Sequence, residues 1–172
     1  MCLTVSDIIH EPVQNTAGFY YRHAITADKP ILVTKFLECR RFNGGWMTPF
    51  QYHQVRFHNG VTTIKPKAGH PFDERVSAWR TFRGDWCPTD ISYGIHSFYH
   101  KDQVEREMRH YHKETWDISP FKAIIPKGAK YYIGTDGDTV SNSLVVFEND
   151  KAYERYITRH GEPITIDTYY EE

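Results

Sequence analysis

The sequence predicts an α+β domain: a mostly antiparallel, twisted sheet carrying a few short helices. Three observations predict it. Short β-branched or apolar runs recur along the chain, each closed by Gly, Pro, Asn or Asp. Helical periodicity is confined to Lys101–His112, to the stretch after Asn149 and to a short piece near Phe72–Trp79. Strands precede and follow the first long helix without the regular strand–helix alternation of a parallel sheet.

The elements follow in order. Residues 1–29 are weakly patterned, interrupted at Pro12 and Gly18, and read as an N-terminal extension to a single globular domain over residues 30–172. Ile31–Leu37 (ILVTKFL) reads as a buried strand, followed by a turn at Asn43-Gly44-Gly45. Gln54–His58 and Val61–Ile64 flank Asn59-Gly60. That pair predicts a type I′ hairpin, because both central residues need positive φ. Residues 65–90 hold Pro66, Gly69, Pro71 and Pro88 and read as a long loop anchored by tryptophans, with the short helix inside it. Ile91–Tyr99 reads as a strand. In the helix that follows, Val104, Met108 and Tyr111 form one apolar stripe. Phe121–Ile125, Tyr131–Ile133 and Ser143–Phe147 read as strands, with turns at Pro126-Lys127-Gly128 and Thr135–Asp138. Asn149 or Asp150 caps a helix running to about Ile157, with Gly161 beyond its end. Ile164–Tyr169 is the last expected strand.

Composition narrows the function classes. The chain has 172 residues, 40% hydrophobic and 25% charged, which suits one folded domain. With 21 basic and 22 acidic residues its net charge is −1, so a bulk nucleic-acid or anionic-membrane binder is not expected. No run of about 18 apolar residues predicts a transmembrane helix, and the first ten residues lack a signal peptide's pattern. Cys2, Cys39 and Cys87 form no CxxC pair, so neither a disulfide framework nor a zinc site is expected, and a reduced cytoplasmic protein is. Cys2 would become an N-terminal nucleophile if Met1 were removed. Aromatic content is 15%, with 10 His in addition.

Candidate site residues come from two segments. Gly94 inside a strand pattern marks a close approach of backbone or ligand, and His96 and Ser97 follow it, His96 on the face of the glycine. Lys127, Tyr131, Ser141 and Asn142 could offer charge, stacking and hydrogen bonds to a phosphate-bearing ligand. His100, His110 and His112 lack a metal-site spacing, so no metal is expected. Arg75, Arg80 and Arg83 interleave with Trp79, Phe82 and Trp86. Asp73, Glu74 and Asp85 dilute that charge, and a nucleic-acid partner is not expected. No GxSxG, GxxxxGK[ST] or GxGxxG motif is present.

The opening Met1-Cys2-Leu3-Thr4, ILVTKFLE, Thr48-Pro49-Phe50, YGIHSF and IPKGAKYY…VSNSLVV occur in this order. They resemble a family of small bacteriophage and prophage proteins, over residues 30–148. The YGIHSF segment is similar, more loosely, to the GFHAC domain fused to pentapeptide repeats, with Phe98 where that domain has Cys. The strand order is also similar to ADP-ribosyltransferase-like folds. That similarity would place Lys35 and Ser97 at two ligand-binding positions, and leaves Val140-Ser141-Asn142 without the expected Glu.

The resemblance implies a phage-encoded protein of the host cytosol. The expected role is a binding protein that sequesters a nucleotide-like small molecule or inhibits a host defence protein. It would need no cofactor and could form a homo-oligomer. An ADP-ribosyltransferase-like enzyme acting on NAD and a virion or assembly interaction protein are the alternatives.

Overall fold

A computed structural model describes residues 3–40, 45–49, 54–67, 69–70, 72–113 and 117–166. The expectations for Cys2, for the Asn43-Gly44 turn, for Phe50 and for Asp167–Tyr169 lie outside these residues, as does the side chain of Tyr111. The strands are β1 (Leu3–Thr4), β2 (Val13–Gln14), β3 (Tyr20–His23), β4 (Ile25–Thr26), β5 (Ile31–Arg40), β6 (Gly45–Met47), β7 (Gln54–Val55) and β8 (Val61–Ile64). They continue with β9 (Arg75–Ala78), β10 (Asp90–Ile91), β11 (Ile95–Phe98), β12 (Ile118–Ile125), β13 (Lys130–Ile133), β14 (Asp138–Ser141) and β15 (Leu144–Phe147). Helices α1 (Lys101–Lys113) and α2 (Asp150–His160) complete the chain, and the strand pairs are antiparallel. No helix among the described residues is long and apolar enough to cross a membrane.

The main sheet runs β4-β13-β14-β11-β5-β12-β15-β8. Only Asn142 and Ser143 separate β14 from β15, yet β11, β5 and β12 lie between them in strand order. A flat sheet cannot satisfy both facts, so this sheet rolls until β14 continues into β15 across the gap. The bridge is tied down. Asn142 N donates to the Lys130 carbonyl and Asn142 Oδ1 accepts from Lys130 N, each at 3.0 Å, while Ser141 Oγ donates to the Ser143 carbonyl at 3.0 Å.

Rolling gives the sheet an inside. Alternate residues of its strands point there, including Ile31, Val33, Leu37, Ile95, Ile125, Tyr131, Leu144 and Val146, all buried in one cluster. Burial of such side chains contributes about 1.5–3 kcal/mol each. The outer face is covered in patches. Leu3, Val5 and Ile91 pack on Tyr132 and Val140. Val104 and Met108 of α1 pack on Phe36 and Phe98, and Ala152 of α2 packs on Ile124, Val145 and Phe147.

Several expectations are met. Asn59 and Gly60 both have positive φ, 52° and 79°, as a type I′ turn requires. Asn149 caps α2 by accepting from Ala152 N at 2.9 Å, and Gly161 follows its end at φ 89°. Others are corrected. The short helix near Phe72–Trp79 is instead strand β9, because Arg75–Ala78 pairs with β3 along its whole length and tertiary pairing overrides a weak local preference. The single strand over Ile91–Tyr99 is two, broken at Ser92–Gly94. Residues 3–29 are woven into the domain: β1 pairs β10, β2 and β3 form a sheet with β9, and β4 pairs β13. Arg22, fully buried, fastens this region through an ion pair with Asp7 and bonds of 3.4 Å to the carbonyls of Val5 and Cys87.

Candidate functional site

The eight sequence-derived site residues do not converge. Lys35, Ser97, Tyr131 and Ser141 lie on the inner face, where Ser97 Oγ and Thr139 Oγ1 share a hydrogen bond of 2.7 Å. Lys35 Nζ donates to the His96 carbonyl at 2.6 Å, beside the point where β5 and β11 pair at Thr34–Phe98. Burial pushes the Lys35 ammonium down to about 7. Ser141 and Asn142 hold the β14–β15 bridge described above. Lys127 is exposed in its turn.

Gly94 and His96 lie on the outer face with Val140. A Cβ at Gly94, whose φ is 120°, would sit 2.4 Å from Val140 Cγ2 and 3.1 Å from the Phe72 ring. The close approach read from this glycine is therefore made by the protein's own side chains. His96 is partly buried, Nε2 lies 3.3 Å from the Ser92 carbonyl, and Nδ1 is buried without a partner among the described residues. Desolvation, opposed by the Ser92 bond and helped by Lys35, pushes its pKa down to about 4.

This sets a pH dependence. His96 binds a proton near 6.5 when unfolded and near 4 when folded, so its contribution is present above 6.5 and is lost as pH falls towards 4. The gap is worth about 3 kcal/mol. Asp138, raised by burial to about 6, acts with the opposite sign over the same interval. The expected result is therefore a difference: wild type loses up to about 3 kcal/mol relative to His96→Phe between pH 6.5 and 4. Urea melts of both proteins across that interval check it, and parallel pH profiles would refute it.

The structure assembles a different concavity. A groove of about 590 Å³ lies between α2 and the turn of the β7–β8 hairpin. Lys151, Arg155 and Arg159, spaced by four residues on α2, line one wall. His58, His160 and Tyr156 add to the lining, and among the described residues no carboxylate does. Gly60 lets the hairpin approach, since a Cβ there would stand 2.9 Å from Ala152 Cβ. Arg155 Nη2 donates to the Asn59 carbonyl at 3.2 Å, and the rings of Tyr156 and His160 stack with centroids 4.2 Å apart. Asp150 is turned away to Lys122, 2.7 Å from its Nζ.

A second groove of about 580 Å³ shares Asn149 with the first. Its lining combines Trp46, Phe121 and Phe147 with the charged Lys122, Glu148 and Asp150, and Trp46 and Phe121 stand edge to face at 4.8 Å. It follows from the sheet: β15 pairs β12 at Ala123 and Ile124, leaving the edge at Pro120 and Phe121 open. The sequence signal for the basic wall was Lys151, Arg155 and Arg159 at i, i+4 and i+8. Sequence alone did not place the Asn59-Gly60 turn against that helix.

No group of three or more His, Cys, Asp or Glu side chains among the described residues is placed to hold a metal ion. Cys39 and Cys87 are free and half-buried. The fold is a mostly antiparallel α+β domain with a basic and an aromatic groove side by side. No family model, no curated protein and no solved structure matches the chain.

Proposed function

We propose that this chain is a binding protein for a nucleotide-like small molecule, held by its phosphates at Lys151, Arg155 and Arg159. The observation that carries this is the basic wall, with no carboxylate among its described lining residues, meeting at Asn149 an aromatic groove whose acids are Glu148 and the Lys122-paired Asp150. Guanidinium forks suit phosphate oxygens, and an aromatic surface suits a base. The resemblance to phage proteins makes the host cytosol the setting and sequestration of a host nucleotide the role, with inhibition of a host defence protein as its counterpart.

The test is calorimetry with mononucleotides, cyclic nucleotides and inorganic pyrophosphate. Arg155→Glu with Arg159→Glu is expected to weaken binding of all of them more than tenfold while leaving the melting temperature nearly unchanged, since both side chains reach solvent. Trp46→Ala is expected to weaken nucleotides and spare pyrophosphate. Absence of heat with every phosphate ligand would sink the reading.

The ADP-ribosyltransferase-like alternative draws support from one observation: Lys35 and Ser97 lie on neighbouring strands, β5 and β11. Against it, both side chains are buried, and the position at Val140-Ser141-Asn142 carries no Glu. Release of nicotinamide from NAD by the pure protein would favour this alternative over simple binding.

A further inference from the structure

Where the turn joining β13 to β14 meets the start of α1, two buried oxygen atoms have nothing to donate to them. Asp138 begins β14 opposite Phe98 of β11, so it shares the outer face on which Phe98 meets Val104 and Met108 of α1. The turn lies tight against that helix. The Gly137 carbonyl accepts from Tyr99 N at 2.9 Å and from His100 N at 3.2 Å. A Cβ on Gly137 would stand 2.5 Å from His100 Cβ and 3.4 Å from Gln103 Cβ. On the other side, a side chain at Gly134 would collide with Asp138 Oδ1.

Gln103 and Asp138 are only 9% and 7% exposed. Gln103 Nε2 donates to Glu107 Oε1 at 3.0 Å, which fixes the amide, since the opposite orientation would set its oxygen against that carboxylate. Gln103 Oε1 is then left buried without a donor among the described residues, and so is Asp138 Oδ1. Two acceptors cannot satisfy each other, and a buried oxygen left unmet costs stability. The surroundings are acidic as well. Burial, with the charges of Asp136 and Glu107 adding to it, pushes the Asp138 carboxyl up to about 6. Lys101 at the start of α1 is turned to Glu105 instead, at 3.9 Å.

We propose that Asp138 Oδ1 and Gln103 Oε1, with Glu107 and Asp136 beside them, bind a hard divalent cation, Ca²⁺ or Mg²⁺. The donors are oxygen alone, an amide and carboxylates, which suits a hard ion and not a thiophilic one. The described residues bring no three His, Cys, Asp or Glu side chains together, so the chain supplies a partial shell and water completes it, as hard ions accept. Asp136 is exposed and Glu107 half-buried, which opens this side to solvent. A water molecule alone would satisfy the two oxygens and leave the negative charge uncompensated, whereas a cation answers both needs. The ion would tie the β13–β14 turn to α1. None of these residues lines the α2 groove, so the proposal stands apart from nucleotide binding.

Calorimetry and thermal melts of chelator-stripped protein, titrated with CaCl₂ or MgCl₂, test it. Wild type is expected to bind one ion per chain and to melt about 5–10 °C higher at about 100 times the Kd. Asp138→Asn keeps the shape, removes the charge and is expected to abolish both heat and shift. Gln103→Met removes the amide oxygen at similar volume and is expected to weaken binding at least about tenfold, the loss of one ligand. Glu107→Gln, at a half-buried position where folding is not at stake, is expected to weaken it by less. No heat and no shift for wild type at about 10 mM of either ion overturns the proposal and leaves the two oxygens to a buried water. Binding undiminished in Asp138→Asn, or in both Gln103→Met and Glu107→Gln, overturns it too and puts the ion elsewhere on the protein.

Discussion

Lys35→Met is expected to make the protein more stable at pH 6, by about 3 kcal/mol. Lys35 is buried inside the rolled sheet, and its one described polar contact is the His96 carbonyl. Lowering its pKa from 10.5 to about 7 corresponds to a desolvation penalty of about 5 kcal/mol. Met fills a similar volume without charge, and losing the bond to the carbonyl gives back about 1–2 kcal/mol. The sign in pH is fixed. Below about 7 the folded protein holds the charge and bears the whole penalty. Between 7 and 10.5 the unfolded chain binds more protons, so stability rises with pH. Wild type is therefore expected to gain about 2.5 kcal/mol between pH 7 and 9 relative to Lys35→Met. Urea midpoints at pH 6, 7, 8 and 9 measure both effects. A variant less stable at pH 6, or parallel profiles, would refute the desolvated ammonium.

Gly94→Ala is expected to cost about 3 kcal/mol or more. Two penalties combine. A non-glycine residue at φ 120° is strained, and the new methyl meets Val140 Cγ2 at 2.4 Å, with Phe72 behind it at 3.1 Å. Gly128→Ala is the control, because its φ of 86° is also positive but nothing lies within 4 Å of the added Cβ. That variant is expected to cost about 1 kcal/mol. Equal losses in the two proteins would mean that Phe72 and Val140 do not pack on Gly94.

The parts of the fold legible in the sequence were those decided locally. The Asn59-Gly60 turn, the Asn149 cap and the β-branched run at Ile31–Leu37 each owe their form to their own residues. The illegible parts were decided by distant partners. Arg75–Ala78 became a strand because Tyr20–His23 lies beside it, and residues 3–29, apart from the short β2–β3 pairing, found structure against β9, β10 and β13. The site was harder still. Ser97, Tyr131 and Ser141 look like ligand contacts when read singly, and inward alternation on a rolled sheet buries all three. The basic wall of α2 was visible as spacing, but its opposite wall comes from a hairpin some ninety residues earlier in the chain.

The rolled sheet also dictates when the protein can fold. Its central strand, Ile31–Arg40, pairs with Ile118–Ile125 and with Phe98, and has no neighbour from the first 29 residues. β4 must wait for Lys130–Tyr131, and the β14–β15 bridge closes the roll only afterwards. During synthesis the first third of the chain therefore emerges with only its β2–β3 and β5–β6–β7 pairings available, the latter reaching β5 at Glu38–Arg40 alone, and the rest of β5 waits for Phe98 and Ile118–Ile125. Such non-local pairing places folding in the millisecond-to-second range typical of high-contact-order β proteins. It also makes the β-rich run at Ile31–Leu37 the segment most exposed to intermolecular pairing until Ile118–Ile125 arrives.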